Sequence, residues 1–155
     1  MGGKSNMKEH RLAARVIGSV MAVMLSGFAC VAFAKSEIKG AAILDNACGK
    51  VAVKQMGLVH DGKMDEANTL ATKEMQEQWK AMPAKDRTMM SGMMKDTSQT
   101  SDQYAADIKA NGVLVVDGAA ATLTVKKTTK DKNGTSTETI TQNFKIDGAQ
   151  CLISR

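Results

Sequence analysis

Residues 44–71 read LDNACGKVAVKQMGLVHDGKMDEANTLA, and the fold follows from how this stretch is parsed. Leu44, Ala47, Cys48, Val51, Leu58 and Val59 recur at steps of three and four, so a helix gathers them on one face. Gln55 is the strongly polar residue of that stripe, while Asp45, Asn46, Lys50 and Lys54 fall toward the other side. His60-Asp61-Gly62 breaks the helix, because Gly62 suits the left-handed backbone that closes helices. A short second helix follows, with Asp65 and Glu66 in its first turn, where carboxylates complement the positive end of the helix dipole. Met64, Ala67, Leu70 and Ala71 form its apolar face. Two one-sided helices need an apolar surface to cover, and the second half of the chain supplies a sheet.

Outward from there, residues 73–82 predict a third helix with Met75, Trp79 and Met82 on one stripe. Pro83 cannot continue it but suits the start of the next helix, residues 84–95, where Met89, Met90, Met93 and Met94 share a side. Residues 97–102 lack apolar periodicity and read as the loop where helices give way to strands. From Gln103 the period becomes two: Tyr104, Ala106 and Ile108 alternate with polar partners, and Asn111-Gly112 marks a turn. A strand over residues 113–116 comes next, then Asp117-Gly118, then Ala119, Ala121, Leu123 and Val125 alternating with Thr122, Thr124 and Lys126. Residues 130–134, KDKNG, signal a hairpin. The return strand puts Ile140, Gln142, Phe144 and Ile146 on one side, and Asp147-Gly148 leads into a last strand over 149–154. Helices first and an antiparallel meander afterwards predict an α+β domain with the helices on one face of a curved sheet.

The 155 residues fit one domain plus a targeting segment. Lys4, Lys8, Arg11 and Arg15 precede an apolar run over 16–34 that closes with Ala32-Phe33-Ala34. A basic flank, an apolar middle and small residues at the cleavage site are the parts of a secretory signal peptide, cut after Ala34. The expected organisation is a signal peptide at 1–34, a loose lead-in at 35–41 and a single domain at 42–155, in a periplasmic or secreted bacterial protein. An uncleaved anchor is the alternative, since the run is long enough to span a bilayer. So is lipidation at Cys30, although Gly27-Phe28-Ala29 departs from the usual lipoprotein pattern. Removal of residues 1–34 takes four of 21 basic and one of 16 acidic residues, leaving 17 against 15 and a charge of +2. The full chain's isoelectric point near 9.2 therefore owes much to the leader.

The segment 51–71, an apolar helix, a glycine-containing break (Asp61-Gly62-Lys63-Met64) and an alanine-bearing short helix (Glu66-Ala67), resembles the nuclear-transport-factor-two-like, or cystatin-like, superfamily. Val116-Asp117-Gly118-Ala119-Ala120-Ala121-Thr122-Leu123 and the closing Phe144-Lys145-Ile146-Asp147-Gly148-Ala149-Gln150-Cys151 are similar to that group's hairpin and final strand. The likeness covers most of 42–154 and is greatest to small exported bacterial members of unknown function. It implies a cone-like fold whose interior can form a pocket. Some enzymes of the superfamily work there with acidic and tyrosyl groups, which implies Asp102, Tyr104 and Asp107 as candidates, with Trp79 as a wall. Gln55 reads either as a pocket's hydrogen-bonding group or as a satisfied core amide or a residue at the wet edge of its stripe. One departure is Gln150, where the group often carries Trp.

The chemistry in the chain is sparse. His60 is the one histidine beyond residue 34, which argues against a hydrolase triad and a multi-histidine zinc site within one chain. No G-x-S-x-G, Walker loop or dinucleotide glycine pattern occurs. Aromatic residues are 3% of the chain, too few to furnish a stacking pocket for a flat substrate. The basic residues are dispersed, so no nucleic-acid partner is expected, and no cofactor is implied. Met89, Met90, Met93 and Met94 offer soft thioethers suited to Cu(I). Methionine at helical spacing serves equally as a pliable core filler or a recognition surface. The functional expectation is a non-enzymatic binding or interaction module for a small apolar ligand or another protein, meeting a membrane only through an uncleaved or lipidated leader. The alternatives are a small enzyme and a Cu(I)-binding protein. Finally, the two cysteines beyond the leader, Cys48 on the helical stripe and Cys151 on the strand face of Ala149 and Ile153, predict a disulfide; two buried free thiols are the alternative.

Overall fold

The structure, a computed structural model, describes residues 35–131 and 134–155; the leader and the centre of the KDKNG hairpin lie outside the described residues. Strand β1 (Ser36–Lys39) is followed by a 3-10 turn (Gly40–Asp45) and then five helices, α1 (Ala47–His60), α2 (Met64–Asn68), α3 (Lys73–Ala81), α4 (Ala84–Thr97) and α5 (Ser101–Asn111). Strands β2 (Gly112–Asp117), β3 (Ala120–Asp131), β4 (Gly134–Asp147) and β5 (Gln150–Ser154) complete the chain. They form one antiparallel sheet in the order β1-β2-β3-β4-β5, open at both ends rather than closed into a barrel. The α+β expectation holds.

Alternation along the strands builds the inner face of the sheet. In register, Ile38 pairs with Leu114, Leu114 with Leu123, and Leu123 with Gln142, giving one row across four strands. A second row runs Val116, Ala121, Phe144 and Ile153. Leu114, Leu123, Val125 and Phe144 are fully or almost fully buried, and each contributes about 1.5–3 kcal/mol of apolar burial. The helical layer covers this face with Ile43, Cys48, Ala52, Tyr104 and Ile108. On the opposite face the same strands carry Thr122, Thr124, Thr141, Asn143 and Lys145, partly or fully exposed.

Helix α1 starts later than the sequence pattern suggested. Asn46 caps it by accepting the Cys48 amide at 2.9 Å, and this places Leu44 in the preceding 3-10 turn. Its buried stripe is Cys48, Gly49, Ala52 and Val59, with Ala47 exposed. The 3-10 turn packs so closely on α1 that a Cβ on Gly49 would lie 1.9 Å from the Ile43 carbonyl oxygen. Gly62, at φ 76°, closes the helix as expected.

Two expectations are corrected. Residues 35–41 are not a loose lead-in, because Ser36–Lys39 pairs with Val113–Val116 as the edge strand of the sheet. Residues 103–108 are not a strand but the middle of α5. Thr100 accepts from the Gln103 amide while the Gln103 side chain accepts from the Thr100 amide, a reciprocal cap that starts a helix. Tyr104 and Ile108 are four apart and buried, whereas Ala106, the residue that made the spacing look alternating, is exposed. Asn111-Gly112 is accordingly a direct passage from α5 into β2 rather than a turn between strands. Among the described residues, no helix is long and apolar enough to cross a membrane.

Candidate functional site

Cys48 and Cys151 form a disulfide with their Cα atoms 5.0 Å apart, joining the first turn of α1 to β5. Both sulfurs are buried in the main core, so the bond clamps the helix to the sheet rather than offering a reactive surface group. The other side of β5 is closed by the segment between α2 and α3. There the Ile153 amide donates to the Leu70 carbonyl at 3.0 Å, and the Thr72 amide donates to the Ile153 carbonyl at 2.9 Å. With α1 and the α2–α3 corner fixed in this way, α3 and α4 are left to enclose space.

They do so around a methionine cluster. One cavity, about 260 Å³, lies between α1, α2, α3 and α4; Met64, Met75, Met82, Met90 and Met94 line it with Trp79. A second, about 220 Å³, lies between α1, the end of α4 and the β3–β4 ribbon, with Met56, Val59 and Ile140 among its walls. Gln55 and Met94 belong to both linings, so the two cavities adjoin along one groove beneath α4. Gln55 is held in place by Gln142 of β4, whose side-chain amide donates to the Gln55 side-chain oxygen. Trp79 is fixed by its indole N–H, which donates to Asp65 Oδ1 at 2.7 Å. At the far end His60 Nδ1 donates to the Ser98 carbonyl at 3.3 Å and ties α1 to the end of α4.

Gln55 and Trp79, expected to furnish a pocket, therefore do line this groove. Asp102, Tyr104 and Asp107 do not. Asp102 is exposed at the start of α5, and Asp107 accepts from Gln99 Nε2 at 2.9 Å. Tyr104 is 0% exposed, and its hydroxyl has no hydrogen-bond partner among the described residues. Burial, reinforced by the negative charge of Asp107, pushes that hydroxyl up to about 12, away from the range of a working general base. The methionine quartet divides: Met90 and Met94, each 38% exposed, turn their sides to the groove, while Met89 and Met93 stand out at 62% and 64%. Met56, Met64, Met75 and Met82 are the lining residues that the sequence pattern did not assign to a site. They are spread over three helical segments, with Met75 and Met82 on the same one, and the signal was the abundance of methionine across 56–94 rather than any spacing.

Among the described residues, no group of three His, Cys, Asp or Glu side chains is placed to hold a metal ion. What the arrangement offers is a deformable, sulfur-rich groove: its larger cavity carries amide groups at Gln55, Asn68 and Gln78 and the cation Arg155, and its smaller one carries Gln99 and the charged Lys127 and Glu138. The chain matches no family model, no curated protein and no solved structure.

Proposed function

We propose that this chain is a small exported binding module, not an enzyme, and that its groove between α1, α3 and α4 takes a small apolar ligand. One observation carries the reading: methionines from four helices and the chain's one tryptophan, although Met64, Trp79 and Met82 also pack together, line two adjoining cavities. Methionine is suited to such a wall because an unbranched thioether can re-form its packing around different shapes. Apolar walls with a few amides are the ordinary make-up of a small-molecule site. The size suits a single ring or a short acyl chain, and Arg155 would accept an anionic end.

Export is supported by the tripartite N-terminal sequence, and a buried disulfide fits an oxidising compartment. Helices packed over one face of an antiparallel sheet are also the architecture that the nuclear-transport-factor-two-like resemblance implies. An enzymatic reading has less behind it, since none of Asp102, Tyr104 and Asp107 lines either cavity of the groove.

Trp79 makes the test direct, because it is the chain's one tryptophan and lines the larger cavity of the groove. Titration with decanoate and with N-phenylnaphthylamine should shift Trp79 emission with a micromolar midpoint. Met94→Asp, which sets a charge where both cavities meet on a partly exposed helix, should weaken binding at least tenfold. No change in emission with either probe, or unaltered binding by the Met94→Asp variant, would overturn the assignment.

A further inference from the structure

All eight methionines among the described residues lie between Met56 and Met94, and none is in the sheet. Five of the eleven residues lining the larger cavity are methionines: Met64 from α2, Met75 and Met82 from α3 and its end, Met90 and Met94 from α4. Methionine gives such a wall its adaptability, and it also brings a thioether sulfur that leucine, with its better-defined rotamers, would not supply. We propose that this cavity is a soft-metal site that takes monovalent copper through thioether sulfurs drawn from these five residues. The inference rests on the groove being the binding site and names a second class of occupant for it.

Thioethers are soft and neutral, which suits Cu(I) and discriminates against hard cations that seek carboxylate oxygens. No thiolate competes within the domain, because Cys48 and Cys151 are consumed by their disulfide. The one histidine of the domain, His60, is engaged with the Ser98 carbonyl and does not line the cavity. The walls can also close on an ion without moving the core. Met90 and Met94 sit on a helix with no buried residue, and a methionine side chain turns its sulfur through three rotatable bonds. Because a thioether holds no proton to lose, binding is independent of pH across the range where histidine or cysteine sites lose their metal. Arg155 opposes a cation on this lining, so its removal strengthens copper binding and weakens binding of an anionic apolar ligand.

The test is competition for Cu(I) against bicinchoninate under anaerobic reducing conditions mild enough to leave the disulfide intact. The purified protein should withdraw one Cu(I) per chain at submicromolar free metal, equally at pH 5 and pH 7.5, with quenching of Trp79. Met90→Leu/Met94→Leu should lose at least 100-fold in affinity, while Met89→Leu/Met93→Leu should bind as the parent does. Leucine is close to methionine in volume, so the double variants keep the fold, and retained N-phenylnaphthylamine binding shows that the groove persists. No withdrawal of copper by the parent, or equal losses in the two double variants, would overturn the copper site while leaving the apolar groove standing. Loss of copper and probe binding together in the parent would overturn both.

Discussion

Helices α1 and α4 are each 14 residues long and lie against one another, yet they are held in different ways. Helix α1 is capped by Asn46, buries Cys48, Gly49, Ala52 and Val59, and is bonded covalently to β5. Helix α4 has no side-chain cap at its start, buries no residue, and exposes four methionines. The sheet holds α1 chiefly through β5, to which Cys48 is bonded, and through the core that Cys48 and Ala52 share with Leu123 and Phe144. Helix α4 is anchored by Met90 and Met94 over the groove and by the His60–Ser98 contact at its end. Stability is therefore gathered at one side of the helical layer and adaptability at the other. That division suits the proposed binding role, in which the groove takes an occupant without loosening the core.

The largest effect should come from cutting the covalent tie. The bridge closes a loop of 103 residues, for which the chain-entropy model gives about 4–5 kcal/mol. Cys48→Ala/Cys151→Ala should lower the unfolding free energy by an amount of that order in urea titrations, with α4 methionine exposure unchanged. If the double variant melts like the parent, the tied half owes nothing to its bond and the contrast fails.

Two glycines sharpen the contrast by giving opposite signs. A methyl group at Gly49 would stand 1.9 Å from the Ile43 backbone oxygen, so Gly49→Ala must push the 3-10 turn off α1. The expected cost is about 3 kcal/mol, at the upper end of overpacking effects. At Gly92 in α4 an added Cβ meets nothing within 4 Å, so Gly92→Ala should stabilise by about 0.5–1 kcal/mol through the unfolded chain alone. Chemical denaturation of both variants reads the two signs; a Gly49→Ala protein as stable as the parent would contradict the close packing.

Between these in size lies a pH effect confined to the tied side. The Tyr104 hydroxyl is pushed up to about 12 in the folded state against about 10 for an unfolded tyrosine. The folded chain therefore holds this proton more tightly than the unfolded one. The stabilisation is fully present below pH 10 and is lost as pH rises from 10 to 12, to a total of about 2–3 kcal/mol. Tyr104→Phe should remove this alkaline fall and, by deleting a buried hydroxyl without a partner, should not destabilise the protein at pH 7. Denaturant midpoints followed from pH 8 to 11.5 decide it.

Much of the fold was readable in the chain because burial imposed a period. Ala121, Leu123, Val125, Phe144, Cys151 and Ile153 alternate, and each is buried where alternation placed it, while Ala119 and Ala149, of the same alternation, are exposed beside the turns. The misread elements are those whose identity depends on partners far away. Ser36–Lys39 holds a single apolar residue, Ile38, and becomes a strand only because β2, more than 70 residues later, offers it an edge. The Tyr104–Ile108 spacing satisfies both a period of two and one helical turn, and the capping pair Thr100 and Gln103 settles it. The site was less legible for a related reason. Gln55 and Trp79 stood on recognisable stripes, but a stripe does not say which element lies across from it. Met64, Met75 and Met82 meet Met90 and Met94 only through the turn at Met82-Pro83. Since α4 buries nothing, no stripe along it could tell Met90 from Met89.

The position of the disulfide also bears on when the molecule becomes whole. A chain grows from its N-terminus, so Cys48 exists for the synthesis of 103 further residues before its partner is made. At ribosomal speeds of about 5–20 residues per second that interval is roughly 5–20 s. Throughout it the thiol of Cys48 is without the partner to which it is bonded in the fold. The bond cannot close until Cys151 has been made, so it takes no part in whatever α1 does before the last strand exists.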